Sequence, residues 1–556
     1  MRAKTGASGE PPLVAAADFE TSKDEEGAYV WLWVVADVYD RFVKVGDSIE
    51  SFLTFVKGLH GYTVFFHNLQ FDGSFIADYL LRNKWTTVTD RQKTVRAKTI
   101  EALVDETKTW YSITLNFNRK ARVKFQDSLK KYNMSIAAIA KAFGMDIEKG
   151  SIDHDEVRPR GYQATQEEVD YCVRDVEILM RAMREDYDNG ITRMTVGSNA
   201  LHDFTVGLGG ETAFRDFFPI LSKEQDGMVR KAYRGGWTYT NPRYQMKLLG
   251  EGMTFDVNSL YPSVMRSCPI PVGAPFPIPG PSEEALWVGE FTFSAVLKPG
   301  HLPTIQISKG RFHSPEYLSV VESETLTVTS VDWELWNEHY DISVEGFGAF
   351  YGFNSVDGGD LFGPYIDKWM KVKEESEGGA RLRAKLFLNS LYGKLGLNPV
   401  KYKTDLIIDE KTNTLSVPVL DEEYVEPLYV PAAAFITAQA RAKTIRAAQE
   451  HYDRFAYADT DSLHLVGTDE VSLDVHKSRL GAWKHESTWS AAVFKHAKRY
   501  MELVGDRWDV HVAGLPLDLA AGLSPEDLLN GREIYGKLQK KSVPGGVVLH
   551  PTTFTV

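Results

Sequence analysis

The sequence predicts a mixed α/β protein built from more than one domain. Two apolar runs typical of buried strands, 13–17 and 253–257, end at or beside the carboxylates Asp18 and Asp256. In the stretch 380–393 apolar residues instead recur every three or four positions, which is typical of a packed helix. With 556 residues, the chain is long enough for several domains of about 100–200 residues each.

Composition and charge limit the classes of protein to which this chain can belong. The chain is 43% hydrophobic and 25% charged, which is ordinary for a folded domain. Its formal net charge of −13 gives no general support for nucleic-acid binding, so any basic surface must be local. Cys172 and Cys268 are too few for a disulfide framework and favour a reducing compartment. The apolar run 28–36 is too short to span a bilayer, and 1–12 lacks the apolar core of a signal peptide, so no membrane is expected.

Acids recur at strand and helix positions in the first third of the chain. Asp18 and Glu20 follow the first strand and share one face, because side chains alternate along a strand. The run 29–36 is placed to pair with that strand as a hairpin. A third strand at 63–66 is followed by Asp72 and then by a helix predicted over 74–81.

A capping box at Thr165–Glu168 opens a later helix, which carries Tyr171 and Asp175 on one face. The acids expected to meet are Asp18, Glu20, Asp72 and Asp175. Four acids without a Cys/His cluster suit Mg²⁺ or Mn²⁺ rather than zinc. Two ions about 3.5–4 Å apart would activate a water, oriented by Tyr171, against a phosphodiester. Taken one at a time, each of these acids has a simpler interpretation, as a carboxylate at a strand end or on a helix surface.

A second acidic group lies at 455–465, where two apolar strands flank a tight turn. Asp459 and Asp461 are two residues apart and would point to one side of an extended chain. Carboxylates held together in this way repel each other, and a divalent cation relieves the repulsion. An ordinary Asx turn is the commoner meaning of a single Asp-Thr-Asp. With Asp256 and the carbonyl of Val257, these acids would hold two Mg²⁺ ions for nucleotidyl transfer.

Candidate nucleotide ligands follow each strand-end acid. On the helix 380–393, four side chains form one stripe suited to a triphosphate and its base. They are Arg381, Lys385, Asn389 and Tyr392. Gly393 is the predicted C-cap, and Lys373 is a further phosphate candidate. Tyr261 would exclude a ribose 2′-hydroxyl. The simpler alternative for the helix stripe is a solvated face of an amphipathic helix. The simpler alternative for Tyr261 is an aromatic ring packed before a proline.

Two short segments and one basic run add candidate DNA contacts. Tyr233-Arg234-Gly235-Gly236 combines close backbone approach with charge and stacking, although it is also compatible with a hairpin turn. Lys498 and Tyr500 place a cation and an aromatic ring near the expected primer. The basic residues near the C-terminus are Arg532, Lys537, Lys540 and Lys541. A plain solvated face is equally compatible with each of these cations.

Four motifs in the last two thirds of the chain resemble those of family B DNA polymerases. They are Asp-x-x-Ser-Leu-Tyr-Pro at 256–262, Lys-x-x-x-Asn-Ser-x-Tyr-Gly at 385–393, Tyr-x-Asp-Thr-Asp-Ser at 457–462 and Lys-x-Tyr at 498–500. The upstream acids, with Asp127-Ser128-Leu129 and Lys149-Gly150, resemble the 3′–5′ exonuclease domain of proofreading polymerases.

The resemblance implies a replicative DNA-directed DNA polymerase with a proofreading exonuclease. It implies a ribonuclease-H-like domain at 1–195 and a polymerase domain at 196–556, with palm, fingers and a thumb from about 512. Lys149 would assist hydrolysis. The residues implied to hold a single-stranded 3′ end are Thr21, Asn68, Phe71, Phe75, Ser128 and Leu129. For the two phenylalanines, core packing is an equal alternative to base stacking. The residues implied to contact DNA in the polymerase domain are Tyr233, Gly235, Gly236, Ser259, Lys498 and Tyr500.

Extra sequence at about 303–362 and 398–424 resembles the protein-primed branch found in small phages. That branch implies primer-template DNA, deoxynucleoside triphosphates and a terminal protein as partners, with strand-displacing, processive synthesis. It also implies a monomer or a heterodimer with the terminal protein, working in the host cytoplasm if a phage encodes it. Alternatives are a nucleic-acid-primed family B polymerase and a non-catalytic DNA-binding replication factor. A reverse transcriptase fits less well, because that class tends to pair adjacent aspartates.

Overall fold

The N-terminal part of the chain folds around an eight-stranded mixed sheet in a computed structural model that describes residues 11–89, 96–147, 152–153, 156–307 and 316–556. The strand order is β3-β2-β1-β4-β8-β7-β6-β5. The strands are β1 (Val14–Asp24), β2 (Gly27–Asp37), β3 (Val43–Gly46), β4 (Thr63–Phe66), β5 (Thr86–Thr87), β6 (Thr99–Val104), β7 (Trp110–Asn116) and β8 (Arg122–Asp127). The predicted hairpin is confirmed, since β1 and β2 pair antiparallel, whereas β4 runs parallel to both β1 and β8.

Helices cover both faces of this sheet. They are α1 (Ile49–Val56), α2 (Leu69–Arg82), α3 (Leu129–Tyr132), α4 (Ile136–Ala142) and α5 (Gln166–Asp188). Helices α1 and α2 bury one face, and α4 and α5 bury the other. The capping box of α5 is present as predicted: the Thr165 and Glu168 side chains bind each other's backbone N–H groups. The prediction of a helix over 74–81 was too short, because α2 already begins at Leu69 and carries Asp72 in its first turn.

A five-stranded antiparallel sheet forms the centre of the remaining chain, with the order β24-β11-β23-β22-β9. Three helices lead into it: α6 (Val196–Gly207), α7 (Glu211–Phe217) and α8 (Lys223–Ala232). Its strands are β9 (Thr238–Thr240), β11 (Gly252–Val257), β22 (Phe455–Asp459), β23 (Ser462–Val466) and β24 (Trp483–Trp489). Beside it lies a four-stranded sheet of β10 (Leu248–Leu249), β25 (Ala491–His496), β26 (Arg499–Val504) and β27 (Arg507–Val512).

The predicted insertion at 303–362 shares a sheet with earlier chain. That sheet, ordered β12-β17-β13-β16, comprises β12 (Pro269–Pro277), β13 (Leu286–Leu297), β16 (Val320–Thr329) and β17 (Tyr340–Asp357). A small pair, β14 (Gln306–Ile307) and β15 (Glu316–Tyr317), lies within the same stretch.

Six helices pack on the central sheet and its neighbours. They are α9 (Leu260–Ser267), α10 (Ser330–His339), α11 (Gly358–Leu361), α12 (Gly363–Glu375), α13 (Gly378–Leu395) and α14 (Val430–Glu450). The predicted C-cap at Gly393 is wrong: α13 continues through this glycine because Leu395 is buried in the core, and Gly396 is the cap. No helix among the described residues is long and apolar enough to cross a membrane.

Two projections from the C-terminal part of the chain reach helix α2. The insertion arm comprises β18 (Val400–Thr404), β19 (Ile407–Asp409), β20 (Thr414–Ser416) and β21 (Val419–Tyr424), in which β18 pairs with β21 and β19 with β20. The C-terminal hairpin comprises β28 (Glu533–Val543) and β29 (Gly546–Thr555), and follows α15 (Leu517–Ala520) and α16 (Pro525–Asn530).

Both projections are anchored in the N-terminal domain. The Arg82 guanidinium donates to the Asn413 side-chain and main-chain oxygens at 2.8 and 2.7 Å. Leu406 and Leu415 of the insertion arm and Val547 of the C-terminal hairpin are buried in the same apolar cluster as α2. The Ala28 N–H donates to the Pro544 carbonyl at 2.9 Å. The two projections therefore share the N-terminal domain as their docking surface.

Gly545 decides how closely the C-terminal hairpin docks. Its φ of +84° is left-handed, and a Cβ there would lie 2.2 Å from the Ala28 carbonyl oxygen. We expect Gly545→Ala to push the turn off the N-terminal domain. Amide hydrogen exchange in 543–547 should then rise several-fold.

Gly505→Ala is the matched control for this change. Gly505 also has a left-handed φ, +61°, but a Cβ there meets nothing within 4 Å. Both variants therefore carry the backbone strain of about 1–2 kcal/mol, and only Gly545→Ala carries the clash. Equal exchange of 543–547 in the two variants would show that the docking contact does not depend on close approach.

Candidate active sites

The three acids of the second group meet on adjacent strands of the central sheet. Asp256 lies near the end of β11, which is paired with β23 on one side and β24 on the other. Asp459 ends β22, and Asp461 follows it in the turn to β23. In this register Asp256 faces Ser462, so all three carboxylates come to one end of the sheet.

The turn between these acids differs from the extended geometry expected from their spacing. Thr460 has a left-handed φ of 64°, and the Asp461 N–H donates to the Asp459 carbonyl at 2.8 Å. The Thr460 N–H donates to the Trp237 carbonyl at 2.7 Å, and the Val257 N–H donates to the Asp461 carbonyl at 2.8 Å. A bent, hydrogen-bonded turn, rather than strand alternation, therefore sets the directions of the two carboxylates.

Charge repulsion is left partly uncompensated at this site. Burial, followed by the charges of Asp461 and Glu486, raises the pKa of Asp256 to about 7. Burial and the charge of Asp459 also raise the pKa of Asp461. Glu486 was missed by the sequence analysis, because no motif marks it and only the pairing of β24 with β11 brings it close.

Lys498 partly neutralises the third acid. Its ammonium donates to both carboxylate oxygens of Asp459 at 2.8 Å, and Thr238 Oγ1 donates to one of them at 2.9 Å. Lys498 was predicted to lie near the primer, but in this structure its ammonium binds Asp459, one of the candidate catalytic acids. Tyr500, its neighbour in the motif, stacks on His511 with ring centroids 4.5 Å apart.

The predicted nucleotide ligands converge on the same end of the sheet. The rings of Tyr261 and Tyr392 stack with centroids 4.1 Å apart. Lys373 Nζ donates to Ser259 Oγ at 3.0 Å. Burial and the charges of Arg381 and Lys385 lower the pKa of Lys373. Arg381, Lys385 and Asn389 are exposed along α13, as the stripe predicts. A cationic, partly aromatic wall therefore faces the carboxylates.

The segment 233–236 is a connection between α8 and β9 rather than a hairpin turn. Arg441 Nη1 donates to the carbonyls of Arg234 and Gly235 at 2.7 and 2.8 Å, and Arg441 also forms a buried ion pair with Asp332. A Cβ at Gly236 would lie 2.6 Å from Thr460 Oγ1, so only glycine fits against the acidic turn. This fit ties the segment directly to the position of the acids.

The first acidic group is built between β1 and α5. Asp18 and Glu20 lie on the face of β1 that α5 covers, and Asp175 on α5 is 7% exposed. Burial, followed by the charges of Asp18 and Glu20, raises the pKa of Asp72 well above its usual range. Tyr171, also on α5, is 3% exposed. The four predicted acids therefore come together as expected.

Cys172 is an unpredicted member of this group. Its thiol donates to the main-chain and side-chain oxygens of Asp18, both at 4.0 Å. Asp18, Glu20 and Cys172 each offer a ligand atom within 4.8 Å of the others, the one such group within the described part of the chain. Burial and the surrounding acids raise the pKa of this thiol well above its usual range. The sequence motifs did not mark Cys172 as part of the site, although it follows Tyr171 directly in sequence.

Several predicted DNA ligands of this domain are structural here. Phe75 and Ser128 are 1% and 0% exposed, and Ser128 Oγ donates to the Phe66 carbonyl at 3.0 Å. Direct contact with DNA is therefore not available to these two side chains, and the packing alternative holds for Phe75. Thr21, Phe71 and Leu129 are half-buried. Lys149 lies outside the described residues.

Asn68 connects this group to the C-terminal hairpin. Lys540 Nζ donates to Asn68 Oδ1 at 2.7 Å and to Gln70 Oε1 at 2.8 Å. The Asn68 N–H donates to Asp127 Oδ1 at 2.9 Å, which also accepts from the Leu129 N–H. One cation of the C-terminal basic run thus lies at the edge of the first acidic site.

Both acidic groups fit hard divalent cations in donor chemistry. In the first group, Asp72 Oδ1 is buried and accepts no hydrogen bond from the described residues. In the second, the pKa values of Asp256 and Asp461 are raised because each carboxylate is buried and also lies near another carboxylate. A bound divalent ion removes both penalties, because its charge offsets the repulsion and it accepts the lone pairs.

Comparisons with known proteins agree with this geometry. Residues 58–163 and 156–479 match the family model of DNA polymerase type B, organellar and viral. The DNA polymerase of Bacillus phage M2 is 38% identical over 97% of this chain and 98% of that protein. The DNA polymerase of Streptococcus phage Cp-1 is 34% identical over 97% of this chain and 98% of that protein.

Solved structures match over the same length. Phi29 DNA polymerase complexed with primer-template DNA and incoming nucleotide substrates has a TM-score of 0.91 and 36% identity. The match covers 98% of this chain and 100% of that chain.

The ion pair between Lys498 and Asp459 gives a testable consequence. Lys498→Met frees Asp459 for a divalent ion, so we expect Mg²⁺ to raise the melting temperature more in the variant than in the unmodified chain. Without Mg²⁺ the variant should be less stable by about 0.5–1 kcal/mol, a small effect because the Lys498 side chain is 57% exposed.

The control for Lys498→Met is Lys403→Met, which removes the exposed pair with Glu423 on the insertion arm. Its response to Mg²⁺ should equal that of the unmodified chain in differential scanning calorimetry. If Lys498→Met responds no more strongly than this control, Lys498 does not compete with a cation for Asp459.

Proposed function

The chain belongs to the type B DNA polymerases of organelles and viruses, and we propose that its two acidic groups are the separate sites of DNA synthesis and of 3′–5′ proofreading. It is a DNA-directed DNA polymerase similar over nearly its whole length to that of Bacillus phage phi29. We infer from its resemblance to the protein-primed phage branch that it starts on a terminal protein and displaces the strand ahead. Its partners are primer-template DNA and deoxynucleoside triphosphates. The family uses divalent metal ions.

The observation that carries the two-site proposal is electrostatic. Each acidic group contains a carboxylate whose pKa is raised by burial and then by other acids of the same group. A scaffold without catalysis gains nothing from such repulsion, so the non-catalytic alternative is disfavoured. A family B polymerase primed only by nucleic acid remains the second candidate for the mode of initiation, and its test is whether a terminal protein becomes nucleotidylated.

In the polymerase site, the ions would be held by Asp256, Asp459 and Asp461 together with the Val257 carbonyl. Two Mg²⁺ or Mn²⁺ ions would there acidify the primer hydroxyl and neutralise the triphosphate. Lys373, Arg381 and Lys385 attract and orient the triphosphate from the facing helices. The Tyr261 ring, which stacks on Tyr392, would exclude a ribose 2′-hydroxyl.

In the nuclease site, the ions would be held by Asp18, Glu20, Asp72 and Asp175. Tyr171, on the same helix face as Asp175, orients the attacking water. The frayed 3′ end would bind in a groove lined by Thr21, Asn68, Phe71 and Leu129. The buried side chains of Phe75 and Ser128 would support the walls of this groove from inside. The Lys540 ammonium at Asn68 adds a phosphate contact from the C-terminal hairpin.

The proposed domain division follows from these roles. Residues 1–195 form the nuclease domain and 196–556 the polymerase domain, with the thumb at about 512–556. Thr195 is the N-cap of α6, so the division falls between two helices. We place the working enzyme in the host cytoplasm, as a monomer or as a heterodimer with the terminal protein.

Reciprocal variants test the two sites on a labelled primer annealed to a small single-stranded circle. Asp256→Ala or Asp461→Ala should reduce synthesis about a thousandfold or more, because several kcal/mol of charge stabilisation are lost. Both should still shorten the primer when nucleotides are omitted. Asp18→Ala or Asp72→Ala should do the reverse. Joint loss of the two activities in folded variants would sink the two-site assignment.

Sugar discrimination tests Tyr261. Replacing the ring in Tyr261→Val opens space at the ribose, so ribonucleotide incorporation relative to deoxynucleotide should rise at least about tenfold. Tyr261→Phe keeps the ring stacked on Tyr392 and should keep the discrimination. Single-nucleotide extension with each substrate measures the ratio. Equal discrimination in both variants would remove Tyr261 from this role.

A further inference from the structure

The nuclease site contains a thiol, that of Cys172, in addition to the carboxylates that hard cations prefer as ligands. Cys172 Sγ lies 4.0 Å from Asp18 Oδ2 and within 4.8 Å of a Glu20 oxygen. The side chain is fully buried between β1 and α5. The thiol therefore points at the two carboxylates of β1 rather than into the core alone.

A second feature of the same site independently indicates a ligand. Asp72 is 3% exposed, and its Oδ1 accepts no hydrogen bond from the described residues. These groups lie close enough together that the charges of Asp18 and Glu20 act on Asp72 and the charge of Asp72 acts on Cys172. A buried carboxylate oxygen without a hydrogen bond destabilises the folded chain, and a cation bound at this position would remove that penalty.

We propose that Asp18, Glu20 and Cys172 form a thiolate–carboxylate site that captures a soft divalent cation such as Zn²⁺ or Cd²⁺ and thereby switches off the nuclease while leaving DNA synthesis active. This inference rests on the proposed nuclease function of the site. Thiolate ligands favour Zn²⁺ and Cd²⁺ strongly over Mg²⁺, which takes oxygen ligands.

The binding step balances without any redox partner. One metal–sulfur bond forms, one S–H bond breaks, and the proton leaves to the buffer. A cation coordinated by a thiol deprotonates it outright, so the surrounding acids do not prevent the exchange. The added thiolate charge leaves the ion less able to acidify a bound water, and the tightly held ion excludes the Mg²⁺ that the nuclease requires.

The polymerase site offers no equivalent thiol. Cys268, the other cysteine, has its Sγ 3.9 Å from Ser267 Oγ near the end of α9. Asp256, Asp459 and Asp461 supply oxygen only, so Mg²⁺ keeps its advantage there. The two activities of one chain should therefore differ in their sensitivity to a soft cation.

The test uses the full chain, with Cd²⁺ as the probe and Mg²⁺ in excess. Thiolate-to-cadmium charge transfer gives an ultraviolet absorption band that reports binding without any activity. We compare the unmodified chain, Cys172→Ser and the matched control Cys268→Ser. Primer shortening and primer extension are then measured at the same Cd²⁺ concentrations, each relative to the same variant in Mg²⁺ alone.

We expect the unmodified chain and Cys268→Ser to show the band at one Cd²⁺ per chain and to lose primer shortening before extension. Cys172→Ser should lack the band, and the Cd²⁺ concentration that halves its primer shortening should rise at least about tenfold. Absence of the band in the unmodified chain, or its persistence in Cys172→Ser, would overturn the site.

Two further measurements keep the result interpretable. Circular dichroism of Cys172→Ser, with its melting temperature, shows whether that variant is folded. If it does not fold, Cys172→Ala replaces it. If the unmodified chain shows the band but never shortens a primer, the thiolate site stands and the nuclease assignment fails. If it shortens primers but shows no band, the nuclease stands and the thiolate site fails.

Discussion

Repulsion between buried carboxylates is the constraint on which both sites depend. Each site keeps acids together where burial makes their charges costly, so the surrounding backbone must hold them there. In the polymerase site this is done by main-chain hydrogen bonds from Thr460 to Trp237 and from Val257 to Asp461. In the nuclease site β1 and α5, packed face to face, carry three of the acids, and the first turn of α2 carries Asp72.

The buried pair of Arg441 and Asp332 extends this support beyond the acids themselves. A buried ion pair is weak support for stability by itself, because desolvation offsets most of the attraction. Here Arg441 also binds two carbonyls of the segment 233–236, and Gly236 packs on Thr460. The pair therefore specifies where that segment lies against the acidic turn, and it connects α10 of the first insertion to the polymerase site.

Local sequence signals predicted what depends on local geometry. Strand alternation placed Asp18 and Glu20 on one face, and the capping box fixed the start of α5 at Gln166. Features that depend on packing between distant segments were not predictable. From sequence alone, Cys172 is an apolar residue of a helix, and only the packing of α5 on β1 brings its thiol to the acids. From sequence alone, Glu486 is a surface acid, and only the pairing of β24 with β11 brings it near Asp256. The turn at Thr460 does not follow strand alternation, because hydrogen bonds to residues outside the hairpin determine the backbone conformation of the turn.

Packing between distant segments also means that the proposed division at residue 195 does not separate two independent apolar cores. The apolar cluster that supports α2 includes Leu406 and Leu415 of the insertion arm and Val547 of the C-terminal hairpin. Gly546 packs against the Phe75 ring, so the polymerase half covers part of the nuclease core. A chain cut at 195 would expose these apolar contacts to water, at about 25 cal/mol for each Å² uncovered. The nuclease groove is therefore a joint product of both halves, with Lys540 as its contribution from the far end of the chain.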